Sequence, residues 1–180
     1  MQVMIQNGAN VKKSLPKVLK LNRIKYRDLS YDMAYSADMV SKWARGVTPL
    51  HFQDFVDMLD RVEQPSLLIF NYMNQTTHLI PPLADGPKFR KSPDTVTNQL
   101  FNEINEAVDS LNESMDEFMT DGQVKDLSDP EEAVKQVLDV QMLCETLEAT
   151  LESRYNLPLQ QIELQREKVW KMKGYLAKEA

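Results

Sequence analysis

The chain has few of the residues that bind metals, form disulfides or build phosphate loops. Its 180 residues include one cysteine, Cys144, two histidines, His51 and His78, and five scattered glycines. A lone thiol cannot close an internal disulfide, and two isolated histidines give no metal-ligand spacing, so neither a metal nor a cofactor is expected. No run approaches the roughly 18 to 20 apolar residues of a membrane helix, and the opening "MQVMIQNGANVKK" lacks the apolar core of a signal peptide. The expectation is a cytoplasmic protein with no membrane partner. Paired carboxylates, a nucleophile beside a base and a glycine-rich loop are all missing, which argues against an enzyme. Cys144 reads as a small core residue and not a reactive thiol.

What is present is 42% hydrophobic residues, enough for one medium core or two small ones. The net charge of −6 is unevenly spread. Residues 1–75 carry ten Lys+Arg against seven Asp+Glu, a net of +3, and residues 76–180 carry eleven against twenty, a net of −9. A basic half can approach a polyanion. An acidic half is repelled by one and suits a solvated, self-associating module.

The first half is punctuated about every dozen residues, by Pro16, "YSAD", "RGVTP" and "EQPS". That spacing fits short helices, with Ser14 and Thr48 as caps before Pro16 and Pro49. Phe52, Phe55, Val56, Leu59 and Val62 recur at helical spacing, and no segment alternates as a strand does. "HLIPPLADGPKFRKSPD" breaks all periodicity and reads as a linker, in which Lys88, Arg90 and Lys91 are solvated or touch phosphate. Two long helices follow, announced by "SPDT" and "DPEE", with Ser92 and Asp129 as caps and Pro93 and Pro130 just inside. In the first, Leu100, Ile104, Ala107, Val108, Leu111, Met115 and Phe118 share a stripe. In the second, Ala133, Val137, Val140, Cys144, Leu147 and Leu151 step by four and three, a seam of about three heptads. "TDGQVKDLSD" would turn the chain between them into an antiparallel pair. A last segment, from about Leu159 to Leu176, would cover part of the apolar edge, and a second subunit the rest.

Residues 24–46, "IKYRDLSYDMAYSADMVSKWARG", have the pattern of a repressor-type helix-turn-helix. Leu29 and Met33 are its buried first-helix positions and small Ser30 lies at the crossing. Ala34 occupies the turn position where glycine is usual, at the cost of a left-handed backbone. Tyr35 and Val40 face inward, Ser36 caps the second helix and Trp43 closes the core. The candidate DNA contacts are Ser36, Ala37, Asp38, Met39, Ser41, Lys42 and Arg45, because a recognition helix reads bases from its N-terminal half while Ser, Lys and Arg hold phosphates. Asp38 admits two roles: accepting from a cytosine amino group, or capping the helix and complementing its dipole. Lys12, Lys13, Lys17, Lys20, Arg23, Lys25 and Arg27 add sequence-independent attraction. Tyr26, Tyr31 and Tyr35 read as packing and phosphate-contacting groups.

"RGVTPLHFQDFVDMLDRVEQPSLLIFNYMNQTTHLIPPL", residues 45–83, resembles the regulatory proteins called CII in P2-like temperate phages, and "TDGQVKDLSDPEEAVKQVLDVQMLCETLEATLE", residues 120–152, is similar to their later turn and long helix. The likeness spans about two thirds of the chain; Asp38, Ala34 and the tail after Arg154 depart from the family pattern. It implies an oligomeric transcription factor, acting in the bacterial host cytoplasm, that helps a prophage establish lysogeny. The combined expectation is an all-α protein: residues 1–85 a helix-turn-helix domain that binds double-stranded DNA, residues 86–180 a helical hairpin or bundle that joins copies into a dimer or tetramer through Val137, Val140, Cys144, Leu147 and Leu151. Host RNA polymerase is a further candidate partner. The competing expectation is a protein-interaction adaptor or antirepressor that keeps the helix-turn-helix as a scaffold.

Overall fold

The computed structural model describes residues 6–87, 89–120 and 126–177. The chain is mostly helical. After a two-residue strand β1 (Gly8–Ala9) come α1 (Leu15–Leu21), α2 (Tyr26–Asp32) and α3 (Ala37–Arg45), then strand β2 (Leu50–His51), α4 (Phe52–Leu59) and α5 (Ser66–Thr77). This agrees with the all-α expectation apart from one short pair that the sequence did not signal: β1 and β2 run antiparallel with Gly8 opposite His51 and Ala9 opposite Leu50. Two residues per strand are too few to alternate visibly. Gly8 is needed there, because a Cβ would lie 2.8 Å from the Leu50 carbonyl oxygen.

The core of this body draws on every element from β1 to α5: Leu15, Val18, Leu29, Val40, Trp43, Leu50, Met58 and Leu68 are almost wholly buried. Each large apolar side chain removed from water in this way contributes about 1.5 to 3 kcal/mol before entropy is counted. Phe55 stacks on Tyr72 with ring centroids 3.9 Å apart, locking α4 onto α5. The loop after β1 is held by a polar clasp. Asn10 N–H donates to Gln75 Oε1 at 3.0 Å, and Gln75 Nε2 donates back to the Asn10 carbonyl at 2.7 Å. The helix starts differ in detail from those expected. Ser14 precedes α1 but its hydroxyl makes no capping bond. Thr48 and Pro49 lie ahead of β2, and His51 holds the position before α4.

Beyond the linker come α6 (Pro93–Glu113), the single turn α7 (Met115–Phe118), the long α8 (Ser128–Tyr155) and α9 (Leu159–Met172). Pro93 opens α6 as expected, whereas α8 begins at Ser128, two residues before Pro130, with Asp126 accepting from the Ser128 N–H at 3.0 Å. Residues 121–125 of the expected turn lie outside the described residues. α6 and α8 pack along each other; Val96, Leu100 and Ala107 of α6 and Ala133 and Leu143 of α8 are buried. α8 also reaches the linker and the N-terminal body: Thr146 Oγ1 accepts from the Ala84 N–H of the linker at 3.0 Å, and Glu152 accepts from the Ser66 N–H at the start of α5 at 3.0 Å. The last segment does not cover the pair as expected. α9 has no buried residue, and Ile162 and Met172 are exposed.

Candidate nucleic-acid interface

α2 and α3 pack directly, joined by Met33 to Ser36. The bend is made by Ala34, whose φ of 55° is left-handed, as the sequence pattern requires. The Ser36 hydroxyl accepts from the Met39 N–H at 3.2 Å and satisfies one of the free donors of the first turn of α3. At the other end Gly46, with φ 71°, donates to the carbonyls of Lys42 and Trp43, and Asn10 Nδ2 donates to the Gly46 carbonyl at 3.3 Å. A Cβ at Gly46 would collide with the Asn10 side chain. Both ends of α3 are therefore fixed, one by its own serine and one by the loop after β1.

Its inner face is Val40, Trp43 and Ala44, all buried. Tyr35 is less inward than expected. It stays 40% exposed, meets the edge of Trp43 at 5.0 Å and donates to Asp54 Oδ1 at 2.6 Å, which ties the turn to α4 and raises the phenol's pKa through the carboxylate it bonds. Met39 is half-buried and packs against the core. Ala37 and Asp38 are exposed, with Ser41, Lys42 and Arg45 beside them at the surface. Of the seven candidate contacts, then, six reach the surface of one short helix or its cap, and Met39 sits at the margin.

Asp38 is engaged within its own helix. Its carboxylate lies 2.7 Å from Lys42 Nζ and 3.9 Å from the Arg45 guanidinium. The hydrogen bond and charge of Lys42 hold its carboxyl below the usual aspartate range, with a smaller push from Arg45. Ser36 makes the capping bond, so Asp38 acts on the first turn by charge alone. Such a solvent-exposed pair is weak, and a phosphate competes readily for either cation.

The remaining basic residues of the first half do not form one sheet of charge. Lys12, Lys13 and Lys17 line a cleft against α5 together with Lys91 of the linker, and this gathering is not legible in the sequence, which separates Lys17 from Lys91 by the whole body. Lys88 lies outside the described residues. Tyr31 is 85% exposed. Among the described residues, no group of three His, Cys, Asp or Glu could hold a metal, and no helix is long and apolar enough to cross a membrane.

On α8, Val137 is exposed and Val140, Cys144, Leu147 and Leu151 are half-buried. Val134 and Leu138 beside them, and Phe101, Ile104, Val108 and Leu111 on α6, are exposed as well. Burial raises the pKa of the Cys144 thiol, with Glu148 and Glu145 adding to the shift, so it stays protonated. No protein-family model, curated protein or solved structure matches the chain.

Proposed function

We propose that the chain is a sequence-specific DNA-binding transcription regulator that acts as an oligomer, with α2 and α3 as its helix-turn-helix and α3 as the recognition helix. The observation that carries this reading is a short helix capped by Ser36, anchored by Val40 and Trp43, and presenting Ala37, Asp38, Ser41, Lys42 and Arg45 outward. Ala37 would pack on a thymine methyl, and Lys42 and Arg45 would hold phosphates once released from Asp38. The exposed apolar residues of α8, Val137 among them, are where copies would pair, doubling the contacts to DNA. The likeness to the CII proteins adds the setting: a temperate phage or prophage, the host cytoplasm, and a choice in favour of lysogeny, with host RNA polymerase as the machinery acted on.

A second reading is favoured by one specific observation. Asp38 occupies both cations of α3, which suits an adaptor or antirepressor whose helix pair is a scaffold and whose acidic helices meet another regulator. Mobility-shift and footprinting assays on DNA flanking the gene separate the two. The regulator gives a discrete footprint and an affinity that falls steeply with salt, by about one unit of logarithmic slope per phosphate contact. A full-length protein that shows no salt-dependent DNA binding leaves the adaptor reading standing.

A further inference from the structure

The cleft between α1, α5 and the linker holds about 310 Å³ and is lined by Lys12, Lys13, Lys17 and Lys91 against a single carboxylate, Asp85. Asp85 is taken by Lys13, at 2.9 Å. Lys12, Lys17 and Lys91 have no ion pair among the described residues, so the cleft carries unneutralised positive charge. Its polar wall is already bonded: Asn71 Nδ2 and Gln75 Nε2 donate to the Asn10 carbonyl, and Asn74 Nδ2 donates to the Ile80 carbonyl at 2.8 Å. Those amides fix the shape and leave the lysines as the free donors. Lys91 keeps an exposed face, yet partial desolvation in the cleft and then the charge of Lys17 lower its pKa, against the pull of Asp85 and with a smaller push from Lys13.

A second cavity of about 540 Å³ continues from the first, sharing Lys17, Leu67, Leu83 and Lys91 and ending on the α8 residues Thr146, Thr150, Glu152 and Ser153. The sequence of surfaces is thus cationic, then apolar at Leu67 and Leu83, then a polar α8 wall beside Glu152, where the hydroxyls of Thr150 and Ser153 donate to helix carbonyls and keep their lone pairs to accept from a ligand hydroxyl. Both volumes fall in the range of small-molecule sites. A DNA duplex is too wide to enter. We propose that this groove binds a phosphorylated small molecule with a hydroxyl-bearing organic body, its phosphate held by Lys17 and Lys91 and its body lying over Leu67 and Leu83 toward α8. Lysine suits the first task as a mobile point charge for phosphate. Because the groove is walled by the N-terminal body on one side and α8 on the other, the ligand would brace their junction. The inference does not rest on DNA binding.

The test uses the full chain, without DNA, at constant ionic strength, with inorganic phosphate, adenosine and adenosine monophosphate as probes. Expected are saturable binding of adenosine monophosphate by calorimetry, a matching rise in melting temperature, weaker binding of phosphate alone and weaker still of adenosine. The Lys17→Gln/Lys91→Gln double variant should bind adenosine monophosphate about tenfold more weakly or worse, since each substitution removes a charged hydrogen bond. Lys135→Gln, which removes a lysine on α8 outside the groove, should bind as the parent does. Lys91→Gln alone, in the linker and outside any helix, reports on the site should the double variant not fold. The proposal is overturned by sodium chloride producing the same thermal shift, by no saturable binding at millimolar probe, or by equal affinities in the parent and lysine variants. It is also overturned if duplex DNA displaces the probe and the double variant loses both, which would assign these lysines to a nucleic-acid surface.

Discussion

Glu152, 2% exposed near the end of α8, accepts a hydrogen bond at 3.0 Å from the backbone N–H of Ser66, the first residue of α5. A carboxylate from a distant helix thus meets the positive end of another, where anions are favoured. Yet burial wins over that bond. The Glu152 pKa is raised above its ordinary 4.5, and burial raises that of Glu145 along the same helix as well.

A folded state that binds protons more tightly than the unfolded chain loses stability as pH rises. The two buried carboxylates, Glu145 and Glu152, should therefore make the protein less stable as pH climbs from about 4.5, their unfolded value, through their higher folded values toward neutrality. Glu152→Gln keeps an oxygen for the Ser66 N–H and removes the buried charge. It should raise the melting temperature at pH 7 and flatten the pH dependence between pH 4.5 and 7. An unchanged slope would show that Glu152 is not one of the titrating groups.

Ala34 tests the turn. A left-handed L-residue costs about 1 to 2 kcal/mol, partly offset by the entropy glycine loses on folding, so Ala34→Gly should stabilise by roughly 0.5 to 1 kcal/mol. Ala34 is exposed, so little packing is lost. The urea midpoint measures it, and a lower midpoint would mean the turn does not adopt this backbone.

The body was legible where a local rule decides the structure. Ser36, Trp43 and the left-handed Ala34 all follow from one spacing pattern, and Pro93 from the preference of proline for a helix start. On α8 the pattern misled in part. The apolar seam from Ala133 to Leu151 is mostly half-buried, whereas Leu143, Glu145, Thr146 and Glu152 are the more deeply covered. This helix packs against α6 and α7 and also against α5 of the N-terminal body, so it buries surface on more than one side. Polar residues cover the contact with the body, and hydrophobic periodicity cannot see them. The lysine cleft was hidden for a related reason: linker residue Lys91 joins α1 only through the folded arrangement of α5 between them.

Val137→Asp and Leu143→Asp separate association from folding. Leu143 is 2% exposed, so a carboxylate there should destabilise by about 3 kcal/mol or more. Val137 is 46% exposed, so its variant should fold normally, and under the proposed pairing it should sediment as a monomer while the parent sediments as a dimer or tetramer. A Val137→Asp protein with the parent's sedimentation coefficient would remove the exposed apolar residues of α8 as the interface.

Asp38→Asn bears on specificity. It frees Lys42 and Arg45 and deletes a negative charge, so affinity for random duplex DNA should rise. If Asp38 accepts from a cytosine amino group, preference at that base pair should also relax by about 1 to 3 kcal/mol. The ratio of specific to random binding is the quantity to measure. A ratio that stays fixed assigns Asp38 to the helix alone.

α8 runs 28 residues without a break, about 42 Å at 1.5 Å per residue, and is fastened to the linker through Thr146 and to the body through Glu152 while its earlier turns lie along α6. In an assembly joined through Val137 it would serve as a ruler, setting the distance between the two copies of α3. Inserting one heptad between Val137 and Thr146 lengthens that ruler by about 10 Å, close to three base-pair steps, while keeping every side chain near its original face. The preferred gap between half-sites would then change even though no residue that touches a base had been altered.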